Sequence, residues 1–498
     1  VRARRRGERG YVLATTAILL VPLLAITGMA TDVGGWYAQG AKQQKAADAA
    51  ALAAVVWLPD LAKATEVARE VAERNGFDDD AADIAVNVSR TSTYELKVQI
   101  VDTAAPLYFS KLFLSSMVIT REAFARYVLP VPMGSPHNYI GTANMVSGNP
   151  EGFWAAVNGW CAPKEQGDPF ATRYMGNWPS GGIACPGGVD NPEYAASPEY
   201  AYDYVIDLPA GRTQPVVLHI YDPAYRGVSP ETGGATIDTQ FLLRSPDSTP
   251  FDDSDNPTTT CSGSGESNPR TYTSGSTDND ATIFGQSGWS QYCTIGTSSP
   301  AGRYSLSVRT LEGQANSYLF NAFSLVASYN GNGVACDRRS TATCPGVYAK
   351  EWMSIMANAG SSSADFSLAE IGSEHAGKQM EITLFDPGEG GNNIRILDPA
   401  GDFVSFTWQT LDGDYSGGPT TSLDVSGCSG WTQIGTGRAG TCRFNERFVV
   451  LTVDLPSDYV ARYGSDTWWE VQYNFSAAVT DRTTWSVKIL GDPVHLAH

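Results

Sequence analysis

No cysteine occurs before Cys161, and no charged side chain stands between Tyr11 and Thr31. Histidine is scarce, five in 498 residues, and none forms the HExxH pair that grips zinc from one helix face. No CxxC pair is present, which argues against thiolate zinc sites. A GxSxG nucleophile elbow is also missing, as is a GxGxxG in the strand–turn–helix setting that a nucleotide site needs. Basic residues are in deficit, 34 Lys and Arg against 53 Asp and Glu, for a net charge of -19. Such a surface repels phosphate backbones, so nucleic acid is not an expected partner.

What is present first is a basic tail and an apolar run. Residues 1–10 carry Arg2, Arg4, Arg5, Arg6 and Arg9 against Glu8. Residues 11–31 then read YVLATTAILLVPLLAITGMAT. As a helix rising ~1.5 Å per residue, this run spans a bilayer core. Basic residues before it predict a cytoplasmic N-terminus and an extracytoplasmic remainder, anchored in the cell membrane by a single pass. A cleaved signal peptide is the rival reading, but its apolar region is ordinarily shorter. No proline follows until Pro59, and alanine, the best helix former, dominates. One helix from about Tyr11 to Trp57 is expected, crossing the membrane and projecting outward. Its small-residue stretch AADAAALAAVV permits close approach of a neighbour.

The eight cysteines are consistent with export to an oxidising compartment. Connectivity is not legible in the sequence. Neighbour pairing is the expectation: Cys161–Cys185, Cys261–Cys293, Cys336–Cys344 and Cys428–Cys442, each closing a loop of small or turn-forming residues.

The fold class expected is α+β and multidomain. After the tail (1–10) and the span (11–31), residues 32–136 read as a membrane-proximal helix and a small α/β domain. LAKATEVAREVAERNG is a helix stopped by Asn75-Gly76, YELKVQIV alternates as a strand, PLYFSKLFLSS suggests a short apolar helix, and VITREAFARYVLPV a second strand. Tyr108 and Phe109 read as core. The remainder is rich in turns, with most of the 50 glycines and 28 prolines. Two tandem antiparallel β-sandwiches are expected, 137–329 (with a preceding edge segment) and 345–498, joined by a linker at 330–344. VVLHIYDP and MEITLFDP, one in each block, share alternating apolar positions followed by Asp-Pro, a faint sign of duplication.

Candidate sites are few. Asp252, Asp253 and Asp255 cluster in a turn, and Asp386 with Glu389 lies in FDPGEG. Clustered carboxylates supply the hard oxygens that calcium takes, though no full EF-hand loop is present, and solvated turns explain them equally. No other cofactor is expected. Trp154, Trp160 and Trp178 are candidate glycan contacts against a packing role. No catalytic constellation is legible, and the chain is read as non-enzymatic.

The N-terminal stretch RRRGERGYVLATTAILLVPLLAITGMATDVGGWYAQGAKQQKAADAAALAAV resembles the corresponding region of TadG-like proteins of the Tad/Flp pilus-assembly system. The parts that carry the resemblance are Arg9-Gly10, Asp32, Gly34, Tyr37, Gln44 and the run around Asp48; a weaker likeness extends to about residue 136. It implies a membrane-anchored envelope protein that acts in pilus assembly with other Tad membrane proteins. Many relatives carry a von Willebrand A domain with Asp-x-Ser-x-Ser; no such string occurs here, and a β-rich region stands in its place. A cell-surface adhesin or glycan-binding module on a membrane stalk, touching cell wall or glycan, is the alternative.

Overall fold

The computed structural model describes residues 8–58, 61–92, 95–127, 131–141, 152–160, 162, 164, 167–172, 191–196, 200–225, 236–247, 253, 255–276, 281–311, 320–359, 363–387, 391–426, 431–434, 437–440, 444, 446–475, 479–490 and 494–497. They fall into two units. One takes Val1–Leu129, Ser248–Asp252 and Asp492–His498, and the other Pro130–Asp247 and Asp253–Gly491.

In the first unit, α1 (Glu8–Val55) is one helix of 48 residues with Pro22 inside it. Leu13, Ile18, Val21, Ile26 and Met29 are all more than 60% exposed. Between Val12 and Val33, only Gly28 and Asp32 are buried. These two stand one turn apart on the same face. That face continues through Gly40, Gln43, Ala46, Ala47, Ala50, Ala51 and Ala54, all buried. The alanines let α1 lie close against a four-stranded antiparallel sheet, where a longer side chain would hold the two apart. The sheet order is β1 (Ile84–Ser92), β2 (Glu95–Asp102), β3 (Ile119–Tyr127) and the strand Val494–Ala497. β2 alternates strictly, turning Leu96, Val98 and Ile100 into the core. α2 (Leu61–Arg74) packs beside α1 through Ala64, Ala68 and Ala72. One helix is thus bare and apolar over its first half and seated on a sheet over its second.

The second unit is built from two copies of one strand pattern. The first copy is β4 (Gly152–Asn158), β5 (Tyr202–Leu208), β6 (Val216–Tyr221), β7 (Asp238–Arg244), β8 (Gln286–Ile295), β9 (Gly302–Thr310) and β10 (Phe320–Tyr329). The second is β11 (Met353–Ala359), β12 (Ser363–Glu370), β13 (Gln379–Phe385), β14 (Gly391–Leu397), β15 (Phe448–Asp454), β16 (Trp468–Phe475) and β17 (Val479–Leu490). One sheet of each sandwich orders β5-β9-β7 and β12-β16-β14; the other orders β8-β6-β10-β4 and β15-β13-β17-β11. Their pairings correspond at central positions, although bulges at Gln291/Cys293, Ser367/Ala369 and Gly391/Asn393 occur in one copy only. Tyr204, Leu306 and Leu243 stand abreast in the first copy, as Phe366, Val471 and Ile396 do in the second. Ser290, Ile220 and Leu325 correspond in the same way to Val449, Leu384 and Trp485.

The copies meet edge to edge. β4 pairs antiparallel with β11, Ala155 opposite Ile355, and this fuses the two larger sheets into one of 12 strands. Ala155 faces Phe323 on its other side, and Ile355 faces Thr483, which are equivalent positions. A pseudo-two-fold axis therefore passes through the Ala155–Ile355 pair. A single apolar core fills both sandwiches, with Tyr204 edge-on to Phe323 and Phe153 edge-on to Phe366. β6 and β13 both end at an Asp-Pro whose aspartate has positive φ, 44° at Asp222 and 50° at Asp386. Aspartate tolerates that left-handed conformation better than most residues.

The α+β class, the long apolar helix and the β-sandwiches match the sequence expectation. Several details differ. The sandwiches expected at 137–329 and 345–498 are joined by more than the linker at 330–344. β4 and β11 zip them together, and the 330–344 stretch is bonded into the unit through Asn138, which donates to Val334 O and accepts from Cys336 N–H. Residues 494–497 leave the second sandwich to extend the sheet of the first unit, because β3 otherwise presents an open edge there. PLYFSKLFLSS forms only the 3-10 turn Ser110–Leu112, and Tyr108 and Phe109 are 64% and 54% exposed, not core.

Candidate functional site: the anchor junction and an aromatic cleft

Where α1 leaves its bare half, it meets the loop between β2 and β3. Asp32 is the centre of this junction. Its carboxylate accepts the backbone N–H groups of Tyr108 (3.0 Å), Phe109 (3.0 Å) and Ser110. Three successive donors on one carboxylate fix the loop as a capping residue fixes a helix start. A Cβ added at Gly28 would fall 2.8 Å from the Phe109 ring, so only glycine admits that ring. Trp36 Nε1 donates to Pro106 O at 3.0 Å, and Gln39 Nε2 to Asp102 Oδ2 at 3.0 Å. Buried Gln43 spans two strand ends, donating to Ile100 O (2.7 Å) and Ile119 O (2.9 Å).

The residues singled out in the sequence divide between two faces. Asp32 and Gln44 face the sheet side; Gln44 Nε2 reaches Glu122 O at 2.9 Å and Asp48 Oδ1 at 2.8 Å. Asp48 is therefore held by its own helix. Gly34 has nothing near it, and Tyr37 is 80% exposed, so both look outward. Gln43 was not anticipated, although it continues the stripe of Asp32 and Gln39 at helical spacing.

Residues 10–63 match the Tad family, described as Putative Flp pilus-assembly TadE/G-like. Residues 10–63 thus resemble the TadE/G-like N-terminal region. The match covers most of α1 and the start of α2, the segment that holds the junction. The match supports a pilus-assembly-related protein, and the one helix among the described residues long and apolar enough to cross a membrane is consistent with a single-pass anchor. No curated protein and no solved structure matches the chain significantly.

The second unit holds a cleft of about 230 Å³ lined by Trp160, Phe170, Tyr194, Tyr200 and Arg309, with Asp168 at its base. Phe170 and Tyr200 stack at 3.8 Å, and Trp160 meets Tyr194 edge-on at 5.6 Å. Asp168 accepts the Tyr202 hydroxyl at 2.6 Å and the Phe170 and Asn158 N–H groups. Burial pushes its carboxyl above the ordinary range, although these bonds and the charge of Arg482 work against that. Buried Lys164 pairs with Glu193 at 3.0 Å. Of the tryptophans named from the sequence, Trp160 lines the cleft, Trp154 lies half-buried on β4 opposite Met356, and Trp178 lies outside the described residues.

The calcium candidates do not converge among the described residues. Asp253 is paired with Lys350 Nζ at 2.6 Å, and the pairing holds the lysine above its ordinary pKa despite the opposing effect of burial. Asp255 is exposed. Asp386 is buried and accepts Glu446 N–H at 3.2 Å. Asp252 and Glu389 lie outside the described residues. The described group that does cluster is Cys261, Glu266 and Cys293. Its two sulfurs are joined as a disulfide, and Glu266 is taken up by Gln291, Thr294 and the Gly263 N–H. Burial would raise the Glu266 pKa, but those bonds outweigh it and hold the carboxyl below its usual value. Cys336–Cys344 is the other disulfide described. Cys161, Cys185, Cys428 and Cys442 lie outside the described residues.

Proposed function

We propose that this chain is a non-enzymatic, single-pass component of a Tad/Flp-type pilus assembly, with its N-terminus in the cytoplasm and its sandwiches outside. The supporting observation is that the match at 10–63 coincides with a helix bare and apolar at one end and seated on its own sheet at the other. A soluble protein would bury such a run; a bilayer covers it without further contacts. Gly34 and Tyr37, facing outward just beyond the span, form the surface offered to other Tad membrane proteins. The acidic sandwiches form its extracytoplasmic, structural part. Deletion of the gene should abolish or impair piliation, and the tagged chain should co-purify with pilus secretion components. Wild-type piliation in the deletion strain overturns this reading.

The second reading, a glycan-binding module on a membrane stalk, draws support from the aromatic cleft. Stacked rings beside Arg309 and a buried carboxylate suit a sugar, whose apolar face lies on aromatics while its hydroxyls seek polar groups. It predicts glycan binding by the chain that W160A and Y200A abolish; no binding on a glycan array overturns it.

A further inference from the structure

The loop that Asp32 clamps has an unusual surface. Its base is closed by the Ala105 N–H donating to Met117 O at 3.1 Å. Between these residues Tyr108, Phe109, Leu112, Phe113 and Leu114 are exposed, Leu112 and Phe113 more than 80%. The loop carries one charge, Lys111. A cluster of large apolar side chains held outward by a fixed backbone signals a surface that something apolar covers.

The direction in which the loop runs identifies its cover. Its base sits at Trp36, which donates to Pro106 O. Tyr108 lies by Gly35, and Phe109 lies on Gly28. From Trp36 to Gly28 the loop therefore descends along α1 by about 12 Å at 1.5 Å per residue, toward the apolar run. Gly28 is itself inside that run, about 5 Å short of its outer end at Thr31. The exposed part of the loop thus continues from the level of the last turns of the span, beside helix residues that are themselves bare and apolar.

We propose that Pro106–Val118 inserts into the outer leaflet as a second membrane contact, with Leu112 and Phe113 among the acyl chains and Lys111 at the phosphate headgroups. This rests on the reading of α1 as a membrane anchor. Aromatic residues favour the membrane interface, and Trp36 bonds Pro106 while Tyr108 lies by Gly35 just beyond the span. A lone helix is free to rotate and tilt in a bilayer. A loop clamped to one face by Asp32 and Gly28 fixes both angles, and with them the direction in which Gly34 and Tyr37 look.

The test is photo-crosslinking of the full chain in vesicles of phosphatidylethanolamine and phosphatidylglycerol. A photoreactive phenylalanine analogue is placed singly at Phe113, at Leu19 within the span, and at Glu66 on α2. Since all three side chains are exposed, the fold is not at stake. Expected are lipid adducts at 113 of the same order as at 19, and at least about tenfold above those at 66. Lipid adducts at 19 with only protein adducts, or none, at 113 overturn the inserted loop while leaving the anchor standing; protein adducts would assign the surface to a neighbouring subunit. Absence of lipid adducts at 19 overturns the anchor and the inserted loop together.

Discussion

Phe109 lies so close to Gly28 that a Cβ on the glycine would stand 2.8 Å from its ring and 2.9 Å from its own Cβ. The second distance matters more, because a clash so near the backbone is not relieved by turning the ring. Gly28→Val should therefore push the loop off the helix, at about 1–3 kcal/mol as in other overpacked contacts. Thermal unfolding of the full chain in detergent measures the loss. An unchanged midpoint would mean that the loop does not rest on the helix.

Asp32 acts on the same loop through its charge. Asp32→Asn keeps an acceptor oxygen but loses the carboxylate that takes three N–H groups. Asp32→Ala loses both. Protease cleavage between Pro106 and Val118 should rise in the order wild type, D32N, D32A. Equal rates in all three would remove Asp32 from its clamping role.

Gln43 is fully buried and ties the ends of β2 and β3 to α1. Gln43→Leu fills the space but leaves two carbonyls without this donor, so about 1–3 kcal/mol should be lost. Gln43→Glu should cost more, since it replaces a donor with a carboxylate facing carbonyl oxygens. Denaturant midpoints of the two variants give the comparison, and the reverse order would contradict it.

The disulfides differ in loop length. Cys261 and Cys293 are separated by 32 residues, Cys336 and Cys344 by 8. By loop entropy, the C261S/C293S pair should lose about 3–4 kcal/mol and the C336S/C344S pair about 2–3. Equilibrium denaturation reads both losses, and a larger loss from the shorter loop would contradict this account.

Asp168 gives a pH dependence of definite sign. Burial raises its folded pKa, so the folded unit holds the proton more tightly than the unfolded chain does. Its contribution to stability is full below the unfolded pKa of about 4 and is lost as pH rises through the folded value. Asp168→Asn removes that titration. Stability of the variant, measured by denaturant across this range, should fall less steeply with rising pH than that of the wild type. Equal slopes would show that Asp168 does not contribute this way.

What could be read in the sequence follows from where the physics is local. The uncharged run from Tyr11 and the alanines after it specify a long helix on their own. β6 and β13 announce themselves by alternation and a closing Asp-Pro, and they take the same place in two sandwiches of one strand order. The fusion of those sandwiches was not legible, because the β4–β11 pair is made by backbone bonds at Ala155 and Ile355, and neither residue type marks an edge that will be joined. The pairing of Val494–Ala497 with β3 joins segments about 370 residues apart and leaves no local trace. The loop at 106–118 misled for a different reason. Apolar residues imply a core only where water is the solvent, and the loop insertion proposed above would place Phe113 where it is not.

Protease shaving of intact spheroplasts tests the central claim most directly. If α1 anchors the chain with its sandwiches outside, external protease removes residues 130–491. A membrane-embedded fragment containing Val12–Thr31 should then remain after an alkaline wash. If the chain resists the protease until the membrane is broken, or is recovered soluble without that segment, the anchor and its topology are wrong.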